Sequence, residues 1–213
     1  MEIIDYHEPS FIILENVRNL LSHDKGRTFE IIKKNLTDRG YLLRYAVLNT
    51  AEITGVPQHR ERIYIVGIKS REIYDKFSLD FMKIPKEPIS KYIMPDVAEK
   101  YWYTSKSVIY PLLYKEITKP DTIYQYRRVY IRENKSNECP TLTANMGTGG
   151  HNVHICLTVK GIRKLTPREC FSFPETYILP DDIADSKQYC LAGNAVSLIV
   201  IKLIANRLIE LIV

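Results

Sequence analysis

The chain contains no CxxC pair: its four cysteines, Cys139, Cys156, Cys170 and Cys190, stand far apart in 213 residues. That spacing excludes a zinc finger and a disulfide scaffold, and it reads as reduced intracellular thiols with no metal site. No apolar run reaches membrane-spanning length. The strongest stretch, residues 195–213, is interrupted by Ser197, Lys202, Asn206, Arg207 and Glu210, which fits an amphipathic or buried helix and no membrane partner. A basic leader is also lacking. The opening Met1-Glu2-Ile3-Ile4-Asp5 is acidic where a secretory segment is basic, so a cytoplasmic location is expected. Internal repeats and low-complexity tracts are absent. With 9 glycines, 11 prolines and 45% hydrophobic residues, collagen-like, mucin-like and wholly disordered chains are excluded. Thirty Lys and Arg against 25 Asp and Glu leave a net charge of +5, which permits a polyanionic partner without demanding one.

What is present is α/β patterning. Residues 10–14 form an unbroken apolar run followed by Glu15-Asn16, the pattern of a buried strand of a parallel sheet opening onto a polar loop. Chemistry in such sheets sits beyond the carboxyl ends of the strands, where Glu15 and Asn16 then fall. Residues 24–39 carry Phe29, Ile32 and Leu36 at helical spacing, with Asp24 or Thr28 as caps and Gly40 just past the end. Strands are predicted over 42–48 and 62–68, separated by the Gly55-Val56-Pro57 turn. From residue 81 prolines punctuate the chain, tyrosines crowd residues 101–130 and helical periodicity disappears, so a smaller loop-rich domain is predicted over 81–180. Residues 1–80 then hold part of an α/β sheet. Residues 181–213 return to it as a terminal helix through Val196, Leu203, Ile204, Leu208 and Leu211. Three strands leave sheet edges uncovered, so another segment or self-association is expected to cover them.

Several residues could carry chemistry. Glu15, at the mouth of a buried strand, could share a proton with a ring nitrogen, or it could cap the following loop. In Gln58-His59-Arg60-Glu61-Arg62 the two arginines are two residues apart. If that stretch is extended they share a side and could grip a phosphate and a base carbonyl together; surface pairing with Glu61 or Glu52 is the alternative. His59 faces the other way and reads as structural. Residues 124–132 interleave tyrosines with Arg127, Arg128 and Arg132, a surface suited to phosphate and base contact. Residues 141–150, with Thr141, Thr143, Asn145, Thr148 and Gly149, offer small donors on a loop able to approach a groove. Asn194 could cap the last helix, and Gly193 beside it permits close approach to a ligand. No cysteine sits where a thiolate gains electropositive help, so packing is their expected role, with Cys139 alone in an exposed loop.

In their order, several segments resemble the later part of a cytosine-5 DNA methyltransferase of the bacterial restriction-modification type. They are Glu15-Asn16-Val17, Gly55-Val56-Pro57-Gln58-His59-Arg60-Glu61-Arg62-Ile63-Tyr64, Thr141-Leu142-Thr143-Ala144, Arg163-Lys164-Leu165-Thr166-Pro167-Arg168-Glu169-Cys170 and Gly193-Asn194-Ala195-Val196. The resemblance spans nearly the whole chain. It implies an α/β fold, the latter half of a Rossmann-like methyltransferase sheet with an inserted small target-recognition domain. It also implies S-adenosylmethionine as methyl donor and double-stranded DNA as partner.

On this resemblance Glu15 contacts N3 of a flipped cytosine, Arg62 contacts its O2 edge, and Arg60 supports the loop or binds phosphate. Thr141 lies against the backbone near the flipped nucleotide. Arg132, Asn145, Thr148 and Gly149 are the DNA-contact candidates, and Asn194 and Ala195 lie beside the methyl-donor pocket. Residues 163–170 organise the small domain rather than react. The family pattern also has a glycine-rich loop for the methyl donor and a Pro-Cys nucleophile. Neither occurs in these residues, Cys139-Pro140 being the reverse dipeptide. The resemblance therefore implies a complementary N-terminal polypeptide or segment, without which no methyl transfer is expected. A non-catalytic DNA-binding subunit and an inactive remnant are the alternatives.

Overall fold

The computed structural model describes residues 1–146, 154–174 and 182–212. In chain order, helix α1 (Glu2–His7) leads to strand β1 (Phe11–Val17), helix α2 (Arg27–Thr37), strand β2 (Leu42–Asn49), the one-turn helix α3 (Thr50–Ile53), strand β3 (Glu61–Ile68) and helix α4 (Arg71–Lys76). After a stretch of short turns come helix α5 (Tyr110–Glu116) and strands β4 (Ile123–Arg127), β5 (Tyr130–Glu133), β6 (His154–Thr158) and β7 (Gly161–Lys164). Helices α6 (Pro167–Ser172), α7 (Asp185–Asn194) and α8 (Leu198–Ile209) follow. The chain divides into two compact units. The first comprises Met1–Asn49, Glu61–Lys83 and Ile199–Val213; the second comprises Thr50–Arg60 and Ile84–Leu198.

The first unit is built on a three-stranded sheet of order β1-β3-β2. Both outer strands run antiparallel to β3, so they are parallel to each other with β3 reversed between them. This differs from the parallel neighbours expected for residues 10–14, because the apolar run that marks a doubly covered strand serves a mixed sheet equally well. The central strand carries the longest buried stretch: Ile63, Tyr64, Ile65, Val66 and Ile68 are at most 2% exposed. Strand β1 continues through Val17, so Glu15 and Asn16 lie within the strand near its carboxyl end rather than in a loop beyond it.

Helix α2 turns Phe29, Ile32 and Leu36 toward Ile12, Leu20, Tyr41, Ile63 and Ile65 to form the core of this unit. Neither predicted cap is used. The helix starts at Gly26 with φ 86° and no side-chain cap, Asp24 pairs with Arg27, and the Thr28 hydroxyl lies 2.7 Å from His23 Nδ1. It ends at Thr37 with Asp38 as its C-cap, and Gly40, with φ 82°, lets the chain reverse into Tyr41. The Tyr41 hydroxyl donates to the Pro9 carbonyl at 2.6 Å. Helix α8 buries Val200, Ile204 and Leu208, each four residues on from the last, and Arg207 donates to the carbonyls of Ser78 and Asp80 at 3.0 and 2.7 Å. The terminal helix starts later than its apolar spacing predicts, leaving Val196 outside it and 37% exposed.

The second unit holds a four-stranded antiparallel sheet of order β5-β4-β6-β7. Residues 123–164, which read as loop-rich, carry it. Strands of four or five residues are too short for their alternation to stand out between turns. Leu113, Ile117, Tyr124, Ile155 and Ile162 form the core on this sheet. Tyr124 and Tyr126 are two apart on β4 and both pack into that core. The expected aromatic and arginine face is therefore divided: these rings are structural, while Arg128 and Tyr130 are exposed at the β4–β5 turn.

A buried ion pair organises the far end of this unit. Arg163 and Glu169, both 0% exposed in their side chains, meet through two hydrogen bonds of 2.8 and 2.6 Å. Glu169 also accepts from the Thr166 amide in a capping box that starts α6. Met94 is clamped from both sides, its N–H donating to Glu169 Oε1 at 2.6 Å and its carbonyl accepting from Arg163 at 2.9 Å. Charges taken out of water are tolerated when they are paired and hydrogen-bonded in this way; here Arg163 Nε alone is left without a hydrogen bond among the described residues.

Candidate active site

In the first unit the pairing of β1 with β3 sets Glu15 opposite Tyr64 and Val17 opposite Arg62. Glu15 and Arg62 are therefore diagonal neighbours near the same end of the sheet. Arg62 Nε lies 3.0 Å from Glu15 Oε1, with side chains 12% and 17% exposed. Charge brings the two atoms together, but the N–H direction does not make a hydrogen bond. Glu15 Oε1 is buried and accepts none from the described residues. Arg62 Nη1 donates to the Glu61 carbonyl at 2.8 Å, and Arg18 holds the Glu61 carboxylate from outside. The arrangement is a carboxylate and a guanidinium side by side, the carboxylate with acceptor capacity to spare.

In the second unit, three segments distant in sequence lock together. The Cys139 amide donates to the Pro57 carbonyl at 2.7 Å and the His59 amide to the Cys139 carbonyl at 2.8 Å. The Thr141 hydroxyl donates to the His59 carbonyl at 2.6 Å. Arg60, 3% exposed, donates through Nη2 to the Ala195 carbonyl at 2.5 Å and through Nη1 to the Gly193 carbonyl at 3.5 Å. Gly193 is pressed against the loop before it: a Cβ added there falls 2.2 Å from the Thr143 carbonyl carbon and 2.3 Å from the Ala144 nitrogen. Only glycine permits that approach.

These contacts revise several expectations. Arg60 is committed to backbone carbonyls, so it supports the 193–195 loop and has no exposed face for phosphate. Asn194 is the last residue of α7 rather than a cap on α8; it is exposed, with Nδ2 at 3.8 Å from Cys190 Sγ. Both backbone groups of Ala195 are engaged, its N–H with the Ala192 carbonyl and its carbonyl with Arg60, which leaves its methyl group for contact. Cys139 lies in no exposed loop; it is fully buried. Burial pushes the thiols of Cys139 and Cys170 well above the ordinary range and that of Cys156 up to about 12, so none of the three is a nucleophile at neutral pH.

Arg132 is exposed on β5, and Asn145 is exposed beside the buried anchors Leu142 and Met146, its Oδ1 accepting from the Thr143 hydroxyl at 2.8 Å. Thr148 and Gly149 lie outside the described residues. Sequence reasoning missed the chain of contacts Lys86–Glu138–His59, at 2.7 and 3.5 Å, because no local pattern joins residues 86, 138 and 59.

The sequence matches the family model for C-5 cytosine-specific DNA methylase over residues 1–210. The chain belongs to that family. Among curated relatives, this DNA methylase chain is 46% identical to the type II methyltransferase M.Bsp6I of Bacillus sp. (strain RFL6), over 98% of the chain and 68% of the relative. It is 33% identical to the type II methyltransferase M.SsoII of Shigella sonnei, over 98% of the chain and 55% of the relative. The methylase chain thus spans between about half and two thirds of the length of such relatives. Among solved structures it resembles Entamoeba histolytica methyltransferase EhMeth (TM-score 0.70, 19% identity, 95% of this chain and 63% of that one). It also resembles the S. pombe Dnmt2 methyltransferase (TM-score 0.69, 17% identity, 95% and 67%). At that identity the likeness shows the fold, a Rossmann-like α/β arrangement.

Proposed function

We propose that this chain supplies the base-gripping and target-recognition part of a cytosine-5 DNA methyltransferase acting on a specific sequence in duplex DNA. Its residues 81–180 form the recognition domain. The observation that carries the proposal is the Glu15–Arg62 pair, a buried carboxylate oxygen without a hydrogen bond held 3.0 Å from a guanidinium. Cytosine C5 is a weak nucleophile until a thiolate adds at C6, and a proton or hydrogen bond delivered to N3 draws electron density from the ring and favours that addition. Glu15, carrying a proton taken from solvent, donates it to N3, and Arg62 holds O2 and keeps the carboxyl group in place. The base reaches them only after leaving the stack.

S-adenosylmethionine, when bound, supplies the methyl group. The exposed carboxamide of Asn194 fits a polar contact with that donor through its oxygen, its Nδ2 being turned to Cys190 Sγ, and Ala195 fits only an apolar one. The 193–195 loop is held ready for it by Arg60. The attacking thiolate comes from outside these residues: the thiols of Cys139, Cys156 and Cys170 are buried, and Cys190 follows Tyr189 within α7 rather than a proline at the end of a strand. A complementary N-terminal polypeptide or segment carrying a Pro-Cys nucleophile and a glycine-rich loop completes the enzyme, and the assembly works in the cytoplasm where its DNA is.

The test combines the chain with such a polypeptide and follows tritiated methyl incorporation into duplex DNA. Activity is expected that needs both polypeptides and is lost in Glu15→Gln. Full activity of the Glu15→Gln assembly, or turnover by the purified chain alone, sinks the proposal. DNA binding without any rescue of methyl transfer instead favours a recognition subunit without catalysis.

A further inference from the structure

We propose that the second unit contains a phosphate-binding pocket whose ligands are Arg132 and Lys135, and that it seats one phosphodiester of the DNA backbone. The inference rests on the DNA-binding reading above and adds a defined anchor to it. A cavity of about 270 Å³ lies between β5 and the segment entering β3, bounded by His59, Arg132, Glu133, Lys135 and Glu138. Its carboxylates are already neutralised from elsewhere: Glu133 pairs with Lys119, and Glu138 pairs with Lys86 at 2.7 Å and faces His59 Nδ1 at 3.5 Å. Arg132 and Lys135 have no carboxylate partner among the described residues. The lining therefore holds two carboxylates that Lys119 and Lys86 already offset from outside it and two exposed cations, Arg132 and Lys135, that are uncommitted.

The turn that carries Lys135 is braced before any ligand arrives. Asn134 Nδ2 donates to the Ile123 carbonyl at 2.7 Å. Asn137 accepts from the Ile89 amide at 2.6 Å and donates to the Glu87 carbonyl at 3.2 Å. A braced turn loses little entropy on binding. A guanidinium beside an ammonium suits the several acceptor oxygens of a phosphate, one as a fork and the other as a point charge. His59 gives the pocket its consequence, since its backbone also holds Cys139 and Thr141. A phosphate seated here sets the register of the DNA backbone against the loop that begins at Thr141, without reading any base.

The test uses the full chain, its Arg132→Gln and Lys135→Gln variants, and Lys160→Gln as a control that removes equal charge at an exposed turn. Duplex affinity is measured against salt concentration, and inorganic phosphate is titrated while amide resonances are followed. Each pocket variant is expected to lower the slope of log affinity on log salt by about 0.9 and to weaken cognate and unrelated duplexes by the same factor, with a smaller loss in the control. Phosphate is expected to shift resonances of residues 132–138 in the wild type and not in the variants. Duplex binding with unchanged slopes, or phosphate shifts elsewhere, overturns the pocket and leaves the DNA reading standing. Phosphate shifts at 132–138 without any duplex binding uphold the pocket and sink the DNA reading. Absence of both responses sinks both.

Discussion

Arg60 and Ala195 stand 135 residues apart in sequence and are joined by a hydrogen bond of 2.5 Å, from the guanidinium Nη2 to the carbonyl oxygen. The same side chain reaches the Gly193 carbonyl, so one buried arginine sets the shape of the loop that carries Asn194. An arginine in an Arg-x-Arg pair next to a candidate base-binding residue reads naturally as a second ligand contact. Its burial makes it a positioning residue instead.

Arg60→Met removes the donor from both carbonyls and is expected to cost about 1–3 kcal/mol. Arg60→Lys recovers only part of that, because an ammonium cannot span two acceptors as a planar fork does. Urea denaturation of the chain at neutral pH measures both, and a wild-type midpoint for Arg60→Met contradicts the assignment.

Gly193→Ala places a methyl group against backbone atoms of Thr143 and Ala144 at 2.2–2.3 Å. Backbone cannot rotate away as a side-chain tip can, so a loss of about 1–3 kcal/mol is expected from overpacking. Asn194→Ala, one residue on and exposed, is expected to stay within about 0.5 kcal/mol of wild type. Thermal melts of the two variants side by side test the contrast.

Arg163→Met strands the Glu169 carboxylate in the interior and is expected to cost about 3–5 kcal/mol, whereas the double change Arg163→Met with Glu169→Leu regains much of it. The chain's one tryptophan serves as the probe, since the Arg163 guanidinium lies 5.8 Å from the Trp102 ring centre. A shifted emission maximum in the single variant, read with a denaturation curve for each protein, distinguishes loss of the pair from loss of packing.

Three buried thiols give a pH dependence with a definite sign. Desolvation raises Cys139, Cys156 and Cys170 in the folded state, so their contribution to stability is present below about pH 8.5, the unfolded thiol value. It is lost as pH rises from there through the folded values, about 12 for Cys156. Denaturation midpoints at pH 7, 9 and 10 are expected to fall on the alkaline side. In native protein at pH 8, iodoacetamide is expected to label Cys190, the one that is only partly buried, well ahead of the other three.

The legible parts of this protein were those whose signal lies within a few residues. The spacing of Phe29, Ile32 and Leu36 marks α2, the apolar run from Ile63 marks β3, and both appear within a few residues of their expected bounds. Strands β4 to β7 were not legible, since each is four or five residues long and their pairing partners lie up to 33 residues away. Tyr124 and Tyr126 misled for a related reason: alternation says that they share a face but not whether that face meets solvent or a core. Cys139 was misread as exposed because the proline after it signals a loop, and the loop is buried by pairing with Pro57 and His59.

The amino-acid order alone determined the family, carried by short motifs in a fixed succession, and it singled out Glu15 and Arg62 as the pair to watch. Only the tertiary structure decided that these two side chains approach to 3.0 Å, that Arg60 turns inward to the 193–195 loop, and that Arg132 and Lys135 flank a cavity. The division has a physical cause. Helix and strand preferences are set by neighbours a few bonds away, whereas the partner of a charged side chain depends on strand register and loop closure, which the whole chain settles together.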